Sequence, residues 1–146
     1  MDNELIVMQG YPASGKSSEA RRLLDERENA AIVCRDDLRF MMHGTYWSGD
    51  SGKEAQVTIA EQAAVERLLI AGTIVIIDAT NLIPDKFQRW IATASLIGVQ
   101  LKRVRVPTPA EECILRDNER RQLGRRAVGA DVIRRMAQEF PEEKWP

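Results

Sequence analysis

Eight residues near the start of the chain, Gly10-Tyr-Pro-Ala-Ser-Gly-Lys16-Ser17, constrain what it can fold into more than any other feature. They fit the spacing G-x-x-x-x-G-K-[ST], which has physical meaning only between a strand and a helix. Both contexts are present. The apolar run Glu4 to Met8 stops at Gly10, as a strand buried in a parallel sheet does. From Lys16 to about Glu28, Ala20, Leu23 and Leu24 recur at helical spacing on a charged background. In such a loop the backbone amides and the helix N-terminus form a concave anion site for a phosphate.

The rest of the chain continues the alternation. AAIVC, ending at Cys34, predicts a second strand, and Asp37 is expected to cap a short helix through Met42. HGTYWSGDSG predicts a loop and Lys53 to Ala71 a long helix. Thr73 to Asp78, TIVIID, is β-branched and uninterrupted, which predicts a strand in the sheet centre. A helix opened by Pro84 and closed by Gly98, a strand VQLKRVRV, a helix from Pro109, the break QLGRR and a helix from about Asp131 to Glu139 complete the chain. This order predicts an α/β protein: a parallel four-stranded sheet flanked by helices, with right-handed crossovers. No repeat or linker divides it, so residues 1–146 are expected to form a single domain.

Composition narrows the functions. A net charge of −1 argues against a coat of positive potential for duplex nucleic acid. No apolar run reaches the ~20 residues that span a bilayer, and the acidic start is unlike a signal peptide, so no membrane partner and a cytoplasmic location are expected. Cys34 and Cys113 have no metal-ligand spacing and read as buried thiols.

The site residues follow from the sheet geometry, because the C-terminal ends of parallel strands face one crevice. Within the loop, Gly10, Pro12, Ala13, Ser14, Gly15, Lys16, Ser17 and Ser18 are expected to bind the nucleotide. Lys16 supplies mobile positive charge, and Ser17 a hydroxyl for Mg²⁺. Asp36, just after the second strand, can accept the proton of an attacking hydroxyl, and Arg39 can clamp an anionic acceptor. Asp78 ends the third strand as a carboxylate that reaches Mg²⁺ through water or orients a neighbour; Thr80 and Asn81 follow it, readable as site residues or turn formers. Arg116 and Arg120 share one helix face, with Arg121, Arg125 and Arg126 nearby, as in a helical lid that meets a moving phosphoryl group.

Together the loop GYPASGKS, the segments RDDLR, DATNL and RDNER, and the final AVGADVIRRM resemble the 5′-hydroxyl polynucleotide kinase domain of phage and bacterial end-healing enzymes, over nearly the whole chain. The resemblance implies a P-loop kinase fold with a helical lid. It also implies that the γ-phosphate of an NTP, ATP by expectation, is transferred with Mg²⁺ to a single-stranded 5′-OH nucleic-acid end. Asp36 then resembles the general base, Arg39 the grip on the acceptor's 3′-phosphate, and Arg116 and Arg120 the lid arginines on the donor, with Arg121 or Arg125 as a substitute for Arg120. Asp78, Thr80 and Asn81 fall in the family's acceptor-binding segment. The chain departs from the pattern at Ala13, where Gly is frequent, and at Asp78, which lies one residue further from Thr-Asn than in one branch of the family. Other readings are a P-loop kinase of another hydroxyl, on a small molecule or a hydroxymethylated base, and an NTP-hydrolysing switch.

Overall fold

A computed structural model describes residues 3–47 and 49–146; Met1, Asp2 and Ser48, the last within the expected HGTYWSGDSG loop, lie outside the described residues. Four strands, β1 (Glu4–Gln9), β2 (Ala30–Cys34), β3 (Ile74–Asp78) and β4 (Gln100–Arg105), pair in the order β2-β3-β1-β4. All pairings are parallel, with Val7 opposite Ile77, Cys34 opposite Asp78 and Gln9 opposite Arg105. The helices are α1 (Lys16–Asp25), α2 (Arg35–His43), α3 (Ser51–Ile70), α4 (Pro84–Ile97), α5 (Ala110–Gln122) and α6 (Ala130–Glu139), followed by a 3₁₀ turn, Glu142–Lys144.

The two inner strands are the two most apolar. Leu5, Ile6, Val7, Met8, Val75, Ile76 and Ile77 are all fully buried. Because side chains alternate along a strand, they divide between two cores. Leu5, Val7, Val75 and Ile77 pack with Val65, Leu69, Phe87, Trp90 and Ala94 of α3 and α4. Ile6, Met8 and Ile76 pack with Ala20 and Leu23 of α1. Each such side chain contributes about 1.5–3 kcal/mol of apolar burial. A third cluster joins Tyr11 of the phosphate loop to Leu82, Cys113, Ile114, Ile133 and Trp145.

The expected elements are all present, and three boundaries move. α1 ends at Asp25 rather than near Glu28, where Arg27 turns back to donate to the Leu23 carbonyl at 2.9 Å and pairs with Glu4. α2 begins at Arg35, so Asp37 lies inside its first turn and caps nothing. α3 begins two residues early because Asp50 accepts from the Gly52 and Lys53 amides at 2.8 and 3.1 Å. Among the described residues, no helix is long and apolar enough to cross a membrane.

Candidate active site

The loop after β1 owes its shape to small residues. A Cβ on Gly10 would stand 2.7 Å from Ser14 Oγ and 2.8 Å from the Val106 carbonyl, so the strand can enter the loop only as glycine. Ala13 (φ 63°) and Gly15 (φ 101°) take left-handed backbone conformations that turn the chain sharply before α1. No side chain caps α1 at Gly15, which leaves its first amides for an anion. Ser14 Oγ is buried and without a partner. Pro12 is half-buried in the same loop, and Ser18 is exposed on the first turn of α1.

Lys16 is buried, with its Nζ donating to the Tyr11 carbonyl at 2.7 Å. Loss of water pushes its pKa down to about 8, although Asp78 and Asp36 oppose the shift. A triphosphate beside Nζ restores the preference for the charged form. Nucleotide binding above pH 8 should therefore take up a proton, and affinity should fall by up to about tenfold per pH unit there, flattening below pH 8. The terminal phosphate, with its last ionisation near pH ~6, does not titrate in that window. Calorimetry at pH 9 in two buffers of different ionisation heat measures this. Zero uptake would mean that Lys16 does not meet the phosphates.

Ser17 donates to Asp78 Oδ2 at 2.7 Å, joining the loop to the end of β3. A hydroxyl and a carboxylate side by side are hard oxygen donors that suit Mg²⁺, an ion that takes its remaining ligands from water and substrate phosphates. Among the described residues, no group of three or more His, Cys, Asp or Glu side chains could hold a metal ion by itself, in keeping with such a shared site. Cys34, opposite Asp78 in the sheet, is half-buried rather than buried, and burial pushes its thiol up to about 12.

Asp36, in the first turn of α2, stands between two guanidinium groups: Arg39 Nη1 at 2.7 Å and Arg126 Nη1 at 3.2 Å. Arg39 itself is only 5% exposed. Its Nε and Nη2 grip both oxygens of Glu54 at 2.6 and 2.8 Å, and Nη1 also donates to the Tyr46 carbonyl. Trp47 lies against it, 5.5 Å from guanidinium carbon to ring centroid. Four of its donor contacts are made to the protein, so in this structure Arg39 braces Asp36.

The arginine cluster divides. A cleft of about 340 Å³ has Ser17 and Asp78 among its lining residues, with Arg120, Arg125 and Arg126 also facing it. Arg126 covers the ring of Tyr46, which stacks on Phe40. Arg116 lies against the phosphate loop, donating to the Ser14 carbonyl at 3.0 Å and pairing with Glu112. Arg121 is turned away: its Nη2 lies 3.2 Å from where a Cβ on Gly129 would stand, and it does not line the cleft. One residue is 100° of helix rotation, which directs Arg120 and Arg121 to different sides of α5 here.

Asn81 has a structural role. Its side chain donates to the Met8 and Ala79 carbonyls and accepts from Trp90 Nε1 at 3.3 Å, while its backbone takes a left-handed φ of 51°. It is a buried staple between β1 and α4 that also lines the cavity between α3 and α4. Thr80 accepts from the Gly10 amide through its carbonyl and lines a separate cavity between α3 and α4.

Two contributors, Glu54 and Asp117, escaped the sequence reading. Glu54, Arg126 and Tyr46 gather around Asp36 from α3, the α5–α6 connection and the α2–α3 loop. Asp117 is 2% exposed and accepts from the Val128 and Gly129 amides, both at 2.9 Å, fixing the connection that carries Arg125 and Arg126. A charged residue amid apolar neighbours Cys113 and Ile114 was the available signal for Asp117.

Comparison with known proteins follows the same lines. A family model described as "AAA domain" matches residues 5–143. The protein KTI12 homologue of Mus musculus is 38% identical over 82 residues, which cover 54% of this chain and 23% of that protein. A chain in the structure of the Pnkp1/Rnl/Hen1 RNA repair complex superposes with a TM-score of 0.86 at 27% identity, covering 99% of this chain and 47% of the other. A putative kinase from Chloroflexus aurantiacus matches with a TM-score of 0.73 at 17% identity, over 90% of this chain and 74% of that one. The chain thus spans about a quarter of its curated relative and about half of the repair-complex chain. The architecture is that of P-loop kinases: a parallel four-stranded sheet with flanking helices.

Proposed function

This chain belongs to the AAA domain family, and we propose that it is an ATP-dependent kinase that phosphorylates the 5′-hydroxyl end of a polynucleotide. The observation that carries the reading is Asp36: a carboxylate in the first turn of α2, just past β2 and its neighbour β3, held between Arg39 and lid residue Arg126. A carboxylate held there can take the proton of an incoming hydroxyl, the step that a phosphotransferase requires. The resemblance to a chain of an RNA repair complex supports a nucleic-acid acceptor.

In this reading the loop amides and Lys16 hold the β- and γ-phosphates. Ser17, with Asp78 beside it, would hold Mg²⁺, which would offset the negative charge of the donor phosphates. Asp36 receives the proton of the 5′-hydroxyl as its oxygen bonds to the γ-phosphorus. The bond from that phosphorus to the β,γ-bridging oxygen breaks, and the nucleoside diphosphate leaves. Arg120, Arg125 and Arg126 meet the charge that spreads over the transferring oxygens, while Arg116 steadies the loop.

The test offers labelled ATP with a 5′-OH oligonucleotide, a nucleoside 3′-monophosphate, a plain nucleoside and small-molecule alcohols. Label at the 5′-oxygen of the oligonucleotide is the expected result. Transfer only to a small alcohol would leave a kinase of another acceptor, and ATP loss without transfer would leave a hydrolytic switch.

A further inference from the structure

A second cavity, about 40 Å³, opens between α3 and α4. Neighbouring residues divide between it and the larger cleft. Asp78 lines the cleft, whereas Ala79 to Ile83 line the second cavity; Arg35 reaches the second cavity, whereas Asp36 pairs with Arg126 of the cleft wall. The second cavity therefore begins one residue along the chain from the cleft at the ends of both β2 and β3, close to where the reacting hydroxyl is proposed to sit.

The charge around this cavity is one-sided. Arg35, Lys86 and Arg89 face it with a single carboxylate, Glu61. Glu61 is already paired with Arg35 at 3.0 Å, and the other amino group of Arg35 donates to Thr58 Oγ1 and the Glu54 carbonyl and pairs with Glu54 Oε1 at 3.4 Å, so both nearby carboxylates are engaged by Arg35. Among the described residues, neither the Lys86 nor the Arg89 side chain has a hydrogen bond or ion pair. Burial and the neighbouring Arg35 charge both push the Lys86 ammonium towards losing its proton, with Glu61 opposing them. Arg35, Lys86 and Arg89 outnumber the two carboxylates beside them, both of which are ion-paired to Arg35, and an oxyanion would offset the remaining positive charge on Lys86 and Arg89. A water needs roughly 10–15 Å³ of such space, so the cavity has room for a few waters or one phosphate-sized group.

We propose that this cavity is a backbone-phosphate subsite for the acceptor strand, in which Lys86 and Arg89, backed by Arg35, hold a phosphate downstream of the 5′-hydroxyl nucleoside. The inference rests on the polynucleotide reading above. It supplies what Arg39 does not: unengaged cations on the acceptor side of Asp36. Thr80 lines the same space and adds a hydroxyl.

Two measurements on the full chain test it. Inorganic phosphate, titrated without nucleotide, should shift the indole N–H resonance of Trp90, which lines the cavity, and Lys86→Gln should abolish that shift. Oligonucleotides with a 5′-OH and one neutral methylphosphonate, placed at the first, second or third linkage, should then show one position at which the acceptor KM rises about tenfold or more. Lys86→Gln should cause a similar rise with fully charged oligonucleotides and none further at that position. The proposal is overturned if phosphate leaves Trp90 unmoved, or if Lys86→Gln leaves every acceptor KM unchanged. A phosphate response with no sensitive linkage would also overturn it, since the site would then take free anion only. If no oligonucleotide is labelled while another alcohol is, the polynucleotide reading falls and the strand assignment with it, whereas the Trp90 titration still reports whether the cavity binds an anion.

Discussion

Lys16→Ala should lower the rate of phosphoryl transfer about a thousandfold and leave the fold as stable as before or more so. The two effects have one cause. In the free protein Lys16 is buried with only the Tyr11 carbonyl as hydrogen-bond partner, and its pKa is pushed down to about 8 by desolvation. Holding that ammonium charged at pH 7 costs on the order of 3 kcal/mol against an ordinary lysine. The folded pKa lies below the unfolded one, so the penalty is full below pH 8 and fades as pH rises towards 10.5. Alanine removes the penalty, offset by the lost hydrogen bond and packing. The alanine variant should therefore lose the rise in stability that the wild type shows between pH 8 and 10.5. Catalysis suffers because the same charge, poised for the phosphates, is gone. A variant with near-normal turnover and an unchanged melting curve would remove the phosphate loop from the chemistry.

What the sequence made legible were features set by neighbours along the chain. The inner strands announce themselves because both of their faces are buried, so LIVM and VIID carry no alternation. The phosphate loop is legible because its glycines answer to local backbone geometry and to the Ser14 side chain within the same turn. Features created by distant pairing were not. Arg39 reads as an acceptor clamp, and nothing along the chain shows that Glu54, fifteen residues away on another helix, takes both edges of its guanidinium. Asn81 reads as a turn or site residue, without a sign of its bonds to Met8 and Trp90. The C-terminal segment gave no periodic signal, yet Trp145 packs edge-on against Tyr11 at 5.3 Å, and both donate to the Phe140 carbonyl. That contact braces the phosphate loop from the far end of the chain.

These pairings also separate what binds from what positions. Around Asp36 the two cations differ in origin: Arg39 is fixed in the core of α2 and α3, whereas Arg126 belongs to the connection clipped by Asp117. The fixed pair sets where the carboxylate stands. The second cation brings the lid segment to it, so the carboxylate is also the point at which lid and acceptor side touch.

Asp36→Asn should reduce kcat by about 10²–10³-fold, with little change in nucleotide affinity and no collapse of the fold. The amide keeps the size of the carboxylate and can still accept from Arg39, but it cannot take a proton from the attacking hydroxyl. Arg39 is not stranded by the change, because Glu54 still neutralises it through two contacts of 2.6 and 2.8 Å. Loss of the pair with Arg126, in which Asp36 is 45% exposed, costs little in itself. Glu54→Gln is the contrasting variant: it leaves the proton acceptor in place and loosens its brace, so melting temperature should fall while the chemical step is less affected. Single-turnover rates and melting curves for the two variants separate the roles. If Asp36→Asn kept kcat within about tenfold of wild type and instead raised the acceptor KM, Asp36 would be a docking point for the lid, and the proton would have to leave by another route.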